Sequence, residues 1–143
     1  MFQILVRLVG ALILSAQITA QAAPGDLDTA GFGSGFGKVI TTIGAGTDFT
    51  RALALQADGK LVVAGVCEEG LTDRFCLARY QSDGSLDSTF NGTGKVITTI
   101  NSFANDIRAL AIQPDGKIVA AGSCVNGTDY DYCLARYRPD GGL

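Results

Sequence analysis

Four cysteines are the residues whose type and spacing speak most directly of chemistry. Cys67 and Cys76 have eight residues between them, as do Cys124 and Cys133, and the two pairs lie 57 positions apart. Four cysteines permit three connectivities. Their recurrence, in an oxidising compartment, favours the two local bridges Cys67–Cys76 and Cys124–Cys133. Zinc ligation is the alternative, but C-x-x-C spacing is missing and the chain has no His. The same missing motif argues against thioredoxin-like redox catalysis. The cysteines are expected to be staples, each closing a short loop and restricting the unfolded chain by roughly 2.5–3 kcal/mol. Directly opposed cysteines would pair Gly65 with Ala78 and Val63 with Tyr80.

Other candidates are weaker. The absence of His removes His general bases and Ser-His or Cys-His nucleophile pairs. Gly33-Ser34-Gly35-Phe36-Gly37-Lys38 fails as a phosphate loop, because Phe32 takes the first Gly position and Val39 the Ser/Thr position. The loop acids Asp73, Asp129 and Asp131 have the chemistry for calcium or acid/base work, but no EF-hand spacing is present and exposed carboxylates are usually just solvated. Asn91-Gly92-Thr93 and Asn126-Gly127-Thr128 are formal glycosylation sequons that also read as Asn-Gly turns. Arg79/Arg136 and Tyr80/Tyr137 recur together, for packing or for a repeated sugar-stacking pocket. No catalytic residue, metal or cofactor is expected. A net charge of −3 offers no basic surface for nucleic acid.

The first two dozen residues read as an address. Arg7 is a positive n-region, residues 8–14 are apolar except for Gly10, and Ala20-Gln21-Ala22 is a small-x-small cleavage pattern. Cleavage after Ala22 leaves Ala23 first, whereas cleavage after Ala23 would place Pro24 at the scissile bond. The apolar run is short of the roughly 20 residues that span a membrane. Residues 1–22 are thus expected to be a signal peptide, an uncleaved anchor or buried helix being the alternative. The mature protein is expected to be secreted or periplasmic, with no membrane attachment.

The elements that would position all these residues come as a repeat. Residues 38–86 and 95–143 align without a gap and share 27 identities in 49 positions. Each copy reads as four short strands: in the first, 38–43, 51–56, 60–66 and 75–80, with a tight turn at Asp58-Gly59 and a looser loop over 68–74. Leu53 and Leu55 alternate with Ala52 and Ala54, and Leu61 and Val63 with Val62 and Ala64, so both sheet faces are apolar and need cover. Stacked four-strand units of this length describe propeller blades. The expected fold is all-β: two tandem four-stranded antiparallel propeller-type blades, an incomplete propeller, with blade 1 over 23–85 and blade 2 over 86–143.

Leu86-Asp87, Phe90, Gly94-Lys95-Val96, Ala109 to Lys117 and Leu134 to Gly141 closely resemble the delta-60 repeat, a bacterial propeller-like family. The resemblance implies secretion and a β-propeller-like fold without established catalytic activity. Without His or an asymmetric acid/base constellation, the chain is expected to be a structural or protein-interaction module rather than an enzyme, with a carbohydrate-binding lectin built from two-blade chains as the alternative. Asp140-Gly141-Gly142-Leu143 stands in register with Asp83-Gly84-Ser85-Leu86, and repeat folds generally need at least three units. The expected partners are therefore further copies of the chain closing a ring, such as three chains for six blades, or further repeats of a longer array. A glycan or protein ligand is compatible with both. N-terminal sequencing of exported protein is expected to return Ala23; recovery of Met1 overturns the signal-peptide assignment.

Overall fold

A computed structural model describes residues 23–101 and 104–143, so the expected signal peptide lies outside the described residues. Seven strands run as β1 (Asp48–Leu55), β2 (Leu61–Glu69), β3 (Thr72–Tyr80), β4 (Lys95–Thr98), β5 (Asn105–Ile112), β6 (Ile118–Val125) and β7 (Tyr130–Tyr137). They form one antiparallel sheet in the order β1-β2-β3-β4 and a second in the order β5-β6-β7. The all-β expectation holds, with four strands in the first sheet and three in the second.

Residues 38–43 form no strand, whereas their second copy supplies β4. The reason is the partner: β4 pairs with β3, the last strand of the preceding copy. Among the described residues, 38–43 have no such strand to join. The first sheet therefore ends inside the second copy.

The expected loose loop over 68–74 is also corrected. β2 and β3 continue through it to Glu69↔Thr72, leaving Gly70 and Leu71 as the turn. Gly70 takes a φ of +68°, which a side chain would resist. This short turn sets the register, placing Gly65 opposite Cys76 and Val63 opposite Ala78. The pairing expected from opposed cysteines is thus displaced by two residues. Both local disulfides form nonetheless, diagonally across their hairpins, with Cα–Cα distances of 5.8 Å for Cys67–Cys76 and 5.9 Å for Cys124–Cys133. Those separations lie within the reach of a disulfide.

Opposite residues on paired strands share a face. One face of the first sheet carries Val62, Ala64, Phe75, Leu77 and Val96, all buried. The other carries Leu53, Leu55, Leu61 and Val63. The second sheet covers the first face with Ile107, Ile118, Ala120, Ala135 and Tyr137, β5 crossing β1, β2 and β3. Ile118 and Ala120 are the counterparts of Leu61 and Val63. Stacking is thus head to tail, the leucine face of one copy against the valine–alanine face of the other. The expectation that both faces need cover is met on one side. Leu53 and Leu55 remain 61% and 65% exposed, although residues 32–43 lie beside part of their face.

β1 and β5 each carry a bulge, at Arg51 and Arg108, where the register shifts between Thr50 and Ala52 and between Ile107 and Ala109. The facing glycines permit it. A Cβ on Gly65 would overlap the Phe49 carbonyl oxygen, and one on Gly122 the Asp106 carbonyl oxygen. Gly65→Ala is expected to destabilise the protein by about 1–3 kcal/mol. Gly31→Ala, which meets nothing within 4 Å, should leave the melting temperature nearly unchanged. Equal melting of both variants overturns the account.

Candidate functional site

Where the two copies meet, a buried polar cluster forms around Arg79. Alternation along β3 turns Arg79 to the same face as Phe75 and Leu77, so its guanidinium is carried into the junction. Its Nε donates to Asp87 Oδ2 at 2.7 Å, Nη1 to the Pro139 carbonyl at 2.5 Å and Nη2 to Thr89 Oγ1 at 3.2 Å. The guanidinium also lies 4.6 Å from the centroid of the Phe90 ring, a cation–π contact. Arg79 and Asp87 are 5% and 1% exposed.

Asp87 is prepared by its own loop. Its Oδ1 accepts the Thr89 N–H at 3.1 Å and the Thr89 hydroxyl at 2.6 Å. Lys60 Nζ adds a looser contact to Oδ2 at 3.7 Å. Burial alone would raise the carboxyl pKa. The Thr89 hydrogen bonds, followed by the Arg79 charge, outweigh it and hold the group below its ordinary value. Every ligand of Arg79 belongs to the second copy. What this arrangement does chemically is fasten one sheet to the next.

The repeat produces a second recurrent contact. The Asn91 N–H donates to the Asp140 carbonyl at 2.7 Å, and the Gly33 N–H to the Asp83 carbonyl at 2.8 Å. Phe90 lies against Gly141 as Phe32 lies against Gly84, which leaves room for no larger residue at either turn. The Gly-rich segment of 33–37 is thus a packed turn, followed by residues 38–43 outside any helix or strand, where a phosphate loop would start a helix.

Over the leucine face of the first sheet lies a cleft of about 330 Å³, bordered by Phe32, Val39, Thr41, Leu53, Val63 and Tyr80 among others. Tyr137, the counterpart of Tyr80, is buried and donates its hydroxyl to Thr98 Oγ1 at 2.9 Å. Arg and Tyr stand next to each other on a strand and therefore point to opposite faces. Arg79 and Tyr80 do not converge on one pocket, nor do Arg136 and Tyr137.

The loop acids are scattered through hairpin ends. Asp131 accepts Asn126 Nδ2 at 2.7 Å, while Asn126 Oδ1 accepts the Thr128 and Asp129 N–H groups at 3.0 Å each. Asn126 is thereby a turn residue, and Asn91 another, with its Nδ2 on the Lys95 carbonyl at 3.0 Å. Among the described residues, no group of three or more His, Cys, Asp or Glu side chains is placed to hold a metal ion.

Sequence reasoning singled out Arg79 but missed Asp87 and Thr89 as its partners. The available signal was the recurring Leu-Asp pair, Leu27-Asp28 and Leu86-Asp87, ahead of each copy.

A family described as a β-propeller domain of unknown function (DUF5122) matches residues 56–90 and 113–143. The two matches start 57 residues apart, the repeat offset. The matches cover just under half of the chain, and with the two stacked, repeat-related sheets they support a β-propeller-like fold with incomplete blades. No curated protein matches the chain.

Asp87→Asn keeps the loop geometry but leaves Arg79 charged and buried, and should cost about 3–5 kcal/mol at neutral pH. The folded Asp87 pKa lies below the unfolded value of about 3.9, so its stabilisation is present above that pH and is lost as pH falls through the folded value. The stability gap between wild type and variant is therefore expected to narrow as pH falls below about 4. Chemical denaturation across pH measures it, and a constant gap refutes the charge-based account.

Proposed function

We propose that this is an exported repeat module whose role is structural or protein-interacting, without catalysis. The observation that carries the reading is where the protein commits its reactive groups. Arg79 and Asp87 are used in the junction, Tyr137 on Thr98, and all four cysteines in disulfides. The surface it leaves exposed includes large apolar side chains, among them Tyr132, Leu134, Leu53 and Leu55. Apolar patches of this kind suit a macromolecular partner.

Export is part of the same proposal. Two disulfides suit an oxidising, extracellular environment. The n-region, apolar run and Ala22/Ala23 cleavage pattern supply the route, and the delta-60-like motifs agree with it. Protein recovered from the periplasm is expected to turn over no glycosidase, esterase or phosphatase substrate and to be retained by no glycan on an array. Turnover abolished by a single surface substitution would establish an enzyme instead. Glycan retention lost in Tyr80→Ala would establish the carbohydrate-binding alternative at the cleft.

A further inference from the structure

We infer that copies of this chain associate head to tail, residues 38–41 of one copy completing the second sheet of another. The inference rests on the interaction-module reading and names the partner as a second copy.

Three observations converge on it. The first is the edge of β7. β4 covers β3 through Phe75↔Thr98, Cys76↔Ile97, Leu77↔Val96 and Ala78↔Lys95. Transposed by 57 residues, the β3 positions become Tyr132, Cys133, Leu134 and Ala135, where the second sheet has no fourth strand among the described residues. Its counterpart, Lys38-Val39-Ile40-Thr41, is identical in sequence to Lys95-Val96-Ile97-Thr98 and pairs with no strand among the described residues, with Ile40 93% exposed. The Phe32–Gly84 packing and the bond from Gly33 to Asp83 anchor the start of that segment as Phe90 and Asn91 anchor the start of β4.

The second observation is the pair of open faces. Phe75 and Leu77 are fully buried beneath the second sheet, whereas their counterparts Tyr132 and Leu134 are 96% and 69% exposed. On the first sheet, Leu53 and Leu55 are exposed, while their counterparts Leu110 and Ile112 pack against the core. Each chain thus presents both halves of a contact it already makes internally.

The third is charge. Arg136 corresponds to the buried Arg79; it is exposed and makes no ion pair among the described residues. Asp28 stands in the Leu-Asp element that corresponds to Asp87. Its Oδ1 already accepts the Ala30 N–H at 3.0 Å, as Asp87 accepts that of Thr89. Oδ2 is then the acceptor for Arg136 of a second copy. Such a heterologous contact either closes a ring or extends without limit.

Light scattering and native mass spectrometry of periplasmic protein test the contact. Wild type is expected to give multiples of its chain mass at micromolar concentration. Arg136→Glu and Asp28→Arg should each weaken association at least about thirtyfold, and combining them in one chain should restore it. Thr41→Pro, which removes the N–H that the counterpart of Thr98 would donate to the ladder, should weaken association whatever the charges. Unchanged melting of the dissociated variants shows that they fold. A cooperatively melting wild-type monomer overturns the inference, as does self-association indifferent to all three changes; both leave the non-catalytic reading standing. Turnover of a hydrolase substrate overturns that reading without touching the interface.

Discussion

A guanidinium taken out of water must find its partners inside the protein, and this constraint on Arg79 organises the junction. An ion pair of this kind adds little net stability, because desolvation consumes much of the attraction. Its effect is on placement. The apolar contact between the sheets is non-directional, and alanine and valine surfaces tolerate sliding. The three acceptors on Asp87, Thr89 and the Pro139 carbonyl do not. Any shift of the second copy would leave a buried charge short of a partner, so the polar cluster selects one arrangement among several apolar ones.

Periodicity carried most of the fold in the sequence. Alternation over residues 51–56 and 60–66 marked β1 and β2, and the cysteine spacing marked both bridges. What alternation does not contain is pairing across copies. Residues 38–43 and 95–100 are identical, yet only 95–98 form a strand, because strand formation depends on an available edge rather than on local propensity. Register was illegible for a related reason. It follows from the Gly70-Leu71 turn, and cysteines can bridge diagonally as well as directly across a twisted hairpin. Of the junction, Arg79 was visible as a recurrent residue. Its acceptors were not, since Asp87 is eight positions away in sequence and Pro139 sixty.

The same residue therefore has two fates in one chain. Arg79 is buried with four polar or aromatic neighbours, while Arg136 lies open to water. Tyr80 and Tyr137 differ in the opposite sense, the second being sealed against Thr98. Identical sequence thus produces different environments according to whether a neighbouring unit lies on one side or the other. A recurring residue in such a protein is best read as half of a contact.

The displacement between sequence copy and sheet also bears on how the chain folds as it is synthesised from its N-terminus. β1 to β3 can pair once Tyr80 is out, giving a small three-stranded meander stapled by Cys67–Cys76. Its outer edge stays open until Lys95–Thr98 arrives, and the Arg79 charge must remain hydrated until Asp87 and finally Pro139 follow. The first sheet is consequently completed by the second copy. Vectorial appearance leaves an intermediate with a free edge and an unburied cation, and that charge helps keep the growing edge from pairing with another chain.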